Sequence, residues 1–514
     1  MKDKSSPDFA SLAMTGWILD NDTVDSGTLS TLTIVGRIVP AINHQSRMVN
    51  HQSPIINRQS LLDQKGPILS LLTILWLVTI SFPVAGAQNQ ITFWTTEVEA
   101  DRLEIQQGIA RAFTRKTGIG VRVIPVQENL LTKRVTAAYA ARSLPDVLFH
   151  PIDFTIGWAE AGILDDRSAT EVVNRLGRET FGAGPLGLAR VPDGYAAVPI
   201  DGWGQLLLYR KDLFQKKGLP VPNRWDHILE AARALHNPPL IWGFEAATDP
   251  GETYTQQVFE HFALSNGVRL TGKSGNVGLD TPEMVQTLKF YKALTRFSPP
   301  GNLYWLHTRM DYISGRAAMI IWSPFILDEL SGLRRDQPVV PDIARGESGF
   351  LARNTGFVTI IQGPKGAAQY GQINYLGITR DAHNASAKQW VEFLLNEGYL
   401  RWLGMAAEGK LPVRKGTRDA PNCFIEGWKD LEFGVTTRAR ISEFYGMDVV
   451  KTIVAGVEGF DRWGFAEGRG ALVSKIYGTK IIPEILKRFL NNELSAKDAA
   501  RMMDERVKAL EDGQ

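Results

Sequence analysis

Short apolar runs alternate with helical patterns from residue 91 onwards. Residues 91–94 predict a strand, residues 105–113 predict an amphipathic helix with an apolar side chain at every fourth position, and residues 121–126 predict the next strand. The alternation continues to a buried strand over residues 145–149. This order predicts an α/β fold with a mostly parallel sheet, in which ligands bind beyond the carboxyl ends of the strands.

Later patterns extend the α/β character to the end of the chain. Ser495 stands where an N-cap precedes the last helix, because its hydroxyl accepts a bond from a backbone N–H of the first turn. No proline-rich or glycine-rich linker separates two halves, so we expect interleaved rather than serial domains. The predicted helices cover residues 225–235, 255–265, 281–295, 388–402, 482–489 and 496–510.

The first 87 residues follow a different pattern. Residues 68–82 carry no charge, Arg58 and Lys65 precede them, and small residues ending in Ala85-Gly86-Ala87 follow. This order is typical of a secretory signal peptide, and its apolar core is shorter than the roughly 20 residues of a membrane-spanning helix. We therefore predict a signal peptide cleaved after Ala87, with an uncleaved anchor as the alternative.

The stretch ahead of the apolar core is unusually long for a signal peptide. Met48 would provide a start of ordinary length, so residues 1–47 are interpreted as an over-extended N-terminus. A lipid-anchored protein carries cysteine directly after the cleavage point, whereas this chain has Gln88 there and a single cysteine at Cys423. We expect an exported, periplasmic protein that is not lipid-anchored.

Composition narrows the functional classes. The chain has 57 Lys+Arg against 55 Asp+Glu, with 44% hydrophobic and 22% charged residues, as is typical of globular proteins. A net charge of +2 gives no footprint for nucleic acid, and one cysteine excludes a disulfide framework and a Cys-rich metal site. The near-neutral charge suits a neutral solute.

Motif searches find no catalytic or cofactor-binding pattern. Residues 267–274 match the P-loop expression, but a helical pattern precedes them and Gly275-Asn276 follows, so the strand and helix of a phosphate site are missing. The histidines show no metal-ligand spacing, and no nucleophile motif is present. We expect no cofactor, no metal and no catalytic residue. Because Glu97, Asp153 and Asp201 are able to converge, an exported carbohydrate-active enzyme (glycosidase or lyase) stays the alternative.

Tryptophans at strand ends indicate a sugar-like ligand. Trp94, Trp203 and Trp322 lie next to polar residues, where a contact with ligand explains them better than a place in the core. Sugars combine flat C–H faces with hydroxyl groups, so aromatic rings flanked by Asp, Glu, Asn and Arg suit them. Most of the other tryptophans are expected in the core.

Four segments, in order along the chain, carry a family resemblance. They are residues 198–216 (VPIDGWGQLLLYRKDLFQK), 218–226 (GLPVPNRWD), 315–321 (GRAAMII) and 411–414 (LPVR). They are similar to the family 1 extracellular solute-binding proteins of ABC importers, the maltose-binding-protein family. Leu206 and Arg210 depart from the residues usual in that family, and both lie outside the expected cleft.

The resemblance implies a periplasmic-binding-protein fold, with two α/β lobes, interleaved chain crossings and a ligand cleft between them. Residues 88–200 and about 356–405 are expected in lobe 1, and residues 201–355 and about 406–514 in lobe 2. Lobe closure would capture a sugar or sugar-like solute, either an oligosaccharide or a glycosidic compatible solute such as glucosylglycerol. The partners would be the permease subunits of an ABC transporter in the inner membrane. The protein is expected to act as a monomer.

The resemblance also implies the ligand contacts. Trp322 and Phe325 are expected as the aromatic platform of lobe 2. Arg414 is expected to donate to a ligand hydroxyl, with a surface ion pair as the alternative. The full set of predicted ligand-binding residues is Trp94, Thr96, Glu97, Asp153, Asp201, Trp203, Tyr254, Trp322, Phe325, Arg414 and Trp463.

Overall fold

The computed structural model describes residues 90–272, 274–334 and 349–513. The predicted signal peptide, its cleavage site and the predicted over-extended N-terminus lie outside the described residues. Residues 87–514 group as one compact unit.

The strands of the described residues are short, and most of them lie in two sheets. In chain order they are β1 (Gln90–Thr95), β2 (Gly120–Pro125), β3 (Val147–Pro151), β4 (Arg190–Val191), β5 (Gly194–Tyr195), β6 (Val198–Gly204), β7 (Leu206–Arg210), β8 (Met319–Trp322), β9 (Thr355–Val358), β10 (Ile361–Gln362), β11 (Ala367–Ile378), β12 (Leu411–Pro412), β13 (Glu432–Phe433), β14 (Ala439–Arg440) and β15 (Phe460–Asp461).

Helices fill the segments between the strands. In chain order they are α1 (Ala100–Thr117), α2 (Glu128–Ala140), α3 (Ile152–Glu160), α4 (Asp166–Leu176), α5 (Ala183–Leu188), α6 (Lys211–Lys217), α7 (Trp225–Leu235), α8 (Thr253–Ser265), α9 (Pro282–Thr295), α10 (Trp305–Ile313), α11 (Leu327–Leu330), α12 (Phe350–Asn354), α13 (Asn384–Leu395), α14 (Tyr399–Leu403), α15 (Cys423–Trp428), α16 (Ile441–Phe444), α17 (Met447–Ala455), α18 (Gly470–Thr479), α19 (Ile481–Leu490) and α20 (Ala496–Glu511), with short 3-10 turns at Arg178–Thr180, Pro324–Ile326 and Gly456–Gly459.

The larger sheet has the strand order β12-β6-β11-β3-β1-β2, and β10 and β15 also pair with β11. Strand β1 runs parallel to β2 and β3, whereas β11 is antiparallel to both β3 and β6. Strand β6 therefore runs in the same direction as β1 and β3. The carboxyl ends of these three strands and the first half of β11 meet at one edge, which we call the carboxyl edge.

The smaller sheet has the order β8-β7-β9, with antiparallel pairing throughout. The chain passes from the larger sheet to the smaller one at Gln205, between β6 and β7. It returns after Val358, because β9 pairs with β7 whereas β10 pairs with β11. Strand β12, at residues 411–412, pairs with β6 and so lies in the larger sheet.

Most predicted elements are present with slightly different bounds. The helix predicted over residues 225–235 has those bounds, and the predicted N-cap Ser495 accepts a bond from Asp498 N. The single helix predicted over residues 388–402 is wrong, since α13 ends at Leu395 and α14 begins at Tyr399. Gly398 lies in the break and packs closely on α1: a Cβ added to it would come within 2.9 Å of Ile109. The sequence pattern around Gly398 gives no sign of this contact with a distant helix.

The prediction of a mostly parallel sheet holds only for part of the larger sheet. Strands β1, β2 and β3 are parallel, as strand–helix–strand units require, but β11 inserts between β3 and β6 in the opposite direction. The chain enters β11 from the smaller sheet and not through a strand–helix–strand unit. β11 is therefore free to run antiparallel to its neighbours. This antiparallel insertion is what brings residues of β11 to the carboxyl edge.

Aromatic side chains form much of the core beneath the larger sheet. The rings of Phe93 and Trp390 are 5.7 Å apart and those of Phe149 and Trp402 are 5.0 Å apart, in edge-to-face geometry. Trp390 and Trp402 are fully buried, as expected for most tryptophans of the chain. This packing joins β1 and β3 to α13 and α14.

Candidate ligand-binding site

Four of the predicted site residues lie at the carboxyl edge. Thr96 and Glu97 directly follow β1, Asp153 lies two residues beyond β3 at the start of α3, and Trp203 is near the end of β6. Thr96, Asp153 and Trp203 are half-buried, whereas Glu97 is buried. Trp94 is half-buried within β1, beside Ile124 and Leu148 of the neighbouring strands. The edge is therefore where polar and aromatic groups remain partly accessible.

A buried lysine joins two of these carboxylates. Lys410 Nζ is 2.5 Å from Glu97 Oε1 and 3.0 Å from Asp201 Oδ2. Asp201 also accepts bonds from Trp402 Nε1 at 2.6 Å and from Asn374 Nδ2 at 2.7 Å. Both oxygens of Asp201 are used inside the protein, so this residue links β6 to β11 and α14 rather than facing solvent.

The charges of this cluster stabilise one another. Burial alone would raise the pKa of Glu97, but Lys410 and Arg102 lower it below its ordinary value. Burial would lower the pKa of Lys410, but the carboxylates of Asp201 and Glu97 raise it. Both groups are therefore ionised at neutral pH, and the cluster is a buried salt bridge.

A second polar group surrounds Asp153. Gln372 Nε2 donates to Asp153 Oδ2 at 2.9 Å, and Gln372 lies directly opposite Trp203 in the β6–β11 register. Side chains at paired positions share one face of a sheet, so Trp203, Gln372 and Asp153 form one surface. The carboxylate of Asp153 is 28% exposed, which leaves acceptor capacity facing solvent.

Glu128, at the start of α2, extends the acidic character of this surface. It is exposed, yet protein groups around it raise its pKa, and the charges of Asp153 and Glu97 raise it further. Sequence patterns did not single out Glu128, because an acidic residue in the first helical turn is common for dipole reasons alone.

The smaller sheet contributes an aromatic group. The Trp322 ring, at the end of β8, stacks on Trp305 at 5.6 Å with an interplanar angle of 18°, and Tyr254 packs edge-on against it at 5.3 Å. Trp322 itself is half-buried. Its Nε1 is shielded from solvent without a hydrogen-bond partner among the described residues, so a donor is left unused there.

Phe325 brings this aromatic group next to the lysine cluster. Its ring packs on Gly409, where an added Cβ would lie 1.9 Å from Phe325 Cζ, and Gly409 directly precedes Lys410. The end of the smaller sheet and the carboxyl edge of the larger sheet therefore approach each other here. Phe325 is half-buried.

Three predicted site residues use their polar atoms within the protein interior. Tyr254 OH donates to Ile321 O at 2.5 Å, and Trp463 Nε1 donates to Val268 O at 3.1 Å. Arg414 is 2% exposed and donates to Leu395 O at 2.5 Å and to three further acceptors. In Arg414 all three guanidinium nitrogens are engaged, which is neither of the two roles considered for it from the sequence.

The structure adds residues that the patterns did not flag. Lys410 immediately precedes the LPVR segment that contains Arg414, but no sequence pattern singled it out. No local signal marks Asn374, Gln372 and Arg462, because they reach the carboxyl edge only through the pairing of β11 and the burial of distant segments. Trp305 begins α10 and stacks on Trp322 beside the smaller sheet, and Glu128 begins α2 shortly after β2.

Comparison with known proteins identifies the family of the chain. The family model described as "Bacterial extracellular solute-binding protein" matches residues 97–400. The chain belongs to this family. It is the solute-binding component of an ABC transporter, a class that works with permease subunits. An Escherichia coli (strain K12) relative, "Putative ABC transporter periplasmic-binding protein YcjN", is 29% identical over 402 residues, which cover 76% of this chain and 88% of the relative.

Solved structures confirm the predicted two-lobed α/β fold. T. maritima MalE3, described with maltose bound, matches with a TM-score of 0.59 and 21% identity over 82% of this chain and 99% of its own. The sugar-binding protein MalE of Xanthomonas citri matches with a TM-score of 0.62 and 17% identity over 82% of this chain and 96% of its own. The Xanthomonas citri protein is named as a sugar-binding protein and the Escherichia coli relative as a periplasmic-binding protein.

Membrane-spanning helices and metal clusters are both absent from the described residues. Within residues 90–272, 274–334 and 349–513, no helix is both long enough and apolar enough to cross a bilayer. The same part of the chain holds no group of three or more His, Cys, Asp or Glu side chains arranged to bind a metal ion.

Proposed function

We propose that this solute-binding protein captures a sugar or sugar-like solute, either an oligosaccharide or a glycosidic compatible solute such as glucosylglycerol. The observation that carries the proposal is the half-buried surface of Trp203, Gln372 and Asp153. An aromatic face beside a carboxylate suits a ring that has C–H groups on one face and hydroxyls at its edge.

Lobe closure is the proposed route of capture. The larger and smaller sheets would form the cores of two lobes, with the chain crossing at Gln205 and again after Val358. A solute that contacts Trp203 on one lobe and Trp322 on the other would favour the closed state over the open one. The closed protein would then deliver the solute to its permease, acting in the periplasm as a monomer after removal of the signal peptide, not lipid-anchored.

Titration of the exported protein tests the ligand class. Maltose, D-tagatose, ribitol and glucosylglycerol are added separately while tryptophan fluorescence is recorded, and product formation is followed by chromatography. We expect saturable binding of at least one compound with no product. Turnover of a glycan would contradict the proposal and favour the enzyme alternative.

A substitution tests the aromatic platform. Trp322→Ala should lower affinity at least about tenfold, because a ring contact of this kind contributes on the order of 1.4 kcal/mol or more. Trp242→Ala is the matched control, since Trp242 is also half-buried but pairs with Ala317 before the start of β8, at the other end of the strand. Equal effects of the two variants would remove Trp322 from the site.

A further inference from the structure

A buried arginine lies behind the carboxylate of Asp153. Arg462 is 2% exposed, and its guanidinium donates to Gln372 Oε1. Gln372 in turn donates from Nε2 to Asp153 Oδ2 at 2.9 Å, and Arg462 NH2 lies 3.9 Å from Asp153 Oδ1. The three side chains form a closed polar ring, of which only the Asp153 and Gln372 members reach the accessible surface.

Aromatic side chains and a carboxylate surround the guanidinium of Arg462. The rings of Tyr370, Phe465 and Tyr477 lie 4.9, 4.9 and 4.8 Å from its central carbon, and Glu260 Oε1 is 3.8 Å from its Nε. Aromatic faces and a carboxylate on every side hold a cation by electrostatic attraction while excluding water.

The charge state of Arg462 is also secured. Burial would lower its pKa, whereas Tyr370, Tyr477 and the nearby carboxylates raise it well above the ordinary value. Arg462 is therefore a permanent cation, and Gln372 is oriented by it: the amide oxygen faces Arg462, which leaves the amide nitrogen to face Asp153.

We propose that Gln372 and Arg462 are positioning residues that fix the Asp153 carboxylate toward the bound solute, where it accepts hydrogen bonds from hydroxyl groups. The inference rests on the proposed function. A carboxylate held in one rotamer before binding loses less conformational freedom when the solute arrives. The affinity for the solute therefore depends on the Gln372 and Arg462 side chains that hold Asp153. Neither positioning residue contacts the solute itself; both act through Asp153.

Calorimetric titration of the exported protein with maltose, D-tagatose, ribitol and glucosylglycerol tests the inference. Gln372→Leu keeps the size of the side chain but removes both contacts, and it should weaken binding of any compound that the wild type binds by about tenfold. Arg462→Lys retains the charge and should recover part of the affinity that Arg462→Met loses. Arg210→Lys is the matched control, because Arg210 is also buried and pairs with Asp212 outside the site. The Arg210→Lys variant should bind each compound with the affinity of the wild type.

A double-mutant cycle separates positioning from general destabilisation. Asp153→Asn keeps the shape of the side chain, and in that background Gln372→Leu should cost less than about twofold, because the carboxylate on which it acts is gone. Gln372 is half-buried, so this variant tests the inference even where Arg462→Met fails to fold.

The outcomes are distinct. Unchanged affinity of Gln372→Leu, or the same loss with and without the Asp153 carboxylate, overturns the inference while leaving the proposed function intact. A wild type that binds none of the four compounds overturns the proposed function and the inference with it.

Discussion

Replacing Lys410 with methionine tests the buried cluster that joins Glu97 to Asp201. The Lys410 side chain is 5% exposed, and those of its partners are 10% and 1% exposed, so none of the three charges is well solvated. Methionine keeps the aliphatic stem, which packs over Trp402 with the ammonium 5.3 Å from the ring, but it removes the cation. Two carboxylates then remain buried with fewer partners.

The expected loss follows from the partners that remain. Removing one member of a buried ion pair costs about 3–5 kcal/mol, because an uncompensated charge is left inside. Glu97 keeps Arg102 at 2.5 Å, and Asp201 keeps its bonds from Trp402 and Asn374. We therefore expect a loss of about 3 kcal/mol in the free energy of unfolding, at the lower end of that range.

Urea unfolding followed by circular dichroism measures the change. Lys415→Met is the matched control, because Lys415 pairs with Glu458 at 2.8 Å while their side chains are 32% and 46% exposed, and it should cost less than about 1 kcal/mol. In an Asp201→Asn background, Lys410→Met should cost less than it does alone. Equal losses for Lys410→Met and Lys415→Met would refute the assignment of a buried salt bridge.

Two further predictions concern packing and pH. Gly409→Ala should lower the free energy of unfolding by about 1–3 kcal/mol and lower the thermal midpoint, because the new methyl group displaces the Phe325 ring. Gly187→Ala is the control: its new methyl group meets open space, so its thermal midpoint should not fall. Stability should fall as pH drops from about 6.5 to 4, because His150 and His261 are buried with pKa values of about 4 and bind protons only on unfolding. His150→Phe should flatten the slope of the unfolding free energy against pH; an unchanged slope would contradict this.

Local patterns predicted the elements of the fold well, because burial of one face is a short-range property. The apolar spacing in α1 and the apolar run in β1 reflect which side chains face the core. A window of a few residues is enough to detect this pattern. The break at Gly398 was missed since it depends on the approach of Ile109, nearly three hundred positions away in the chain.

The candidate site was predictable only where residues stand at the ends of strands. Trp203 and Asp153 were predicted in this way, and the structure places them on one surface. Arg414 was selected from its motif, but burial turned its guanidinium toward Leu395 and other interior acceptors. A motif identifies a loop, whereas the direction of each side chain in it depends on what packs around that loop.

The sequence by itself determined the α/β class, the order of the helices and strands, and the family. Only the tertiary structure decided which polar residues meet at the carboxyl edge. Gln372 and Arg462 arrive there because β11 inserts antiparallel between β3 and β6, and because β15 pairs with β11. Such contacts join residues that lie from tens to hundreds of positions apart, and no periodicity along the chain reports the register of strands from distant segments.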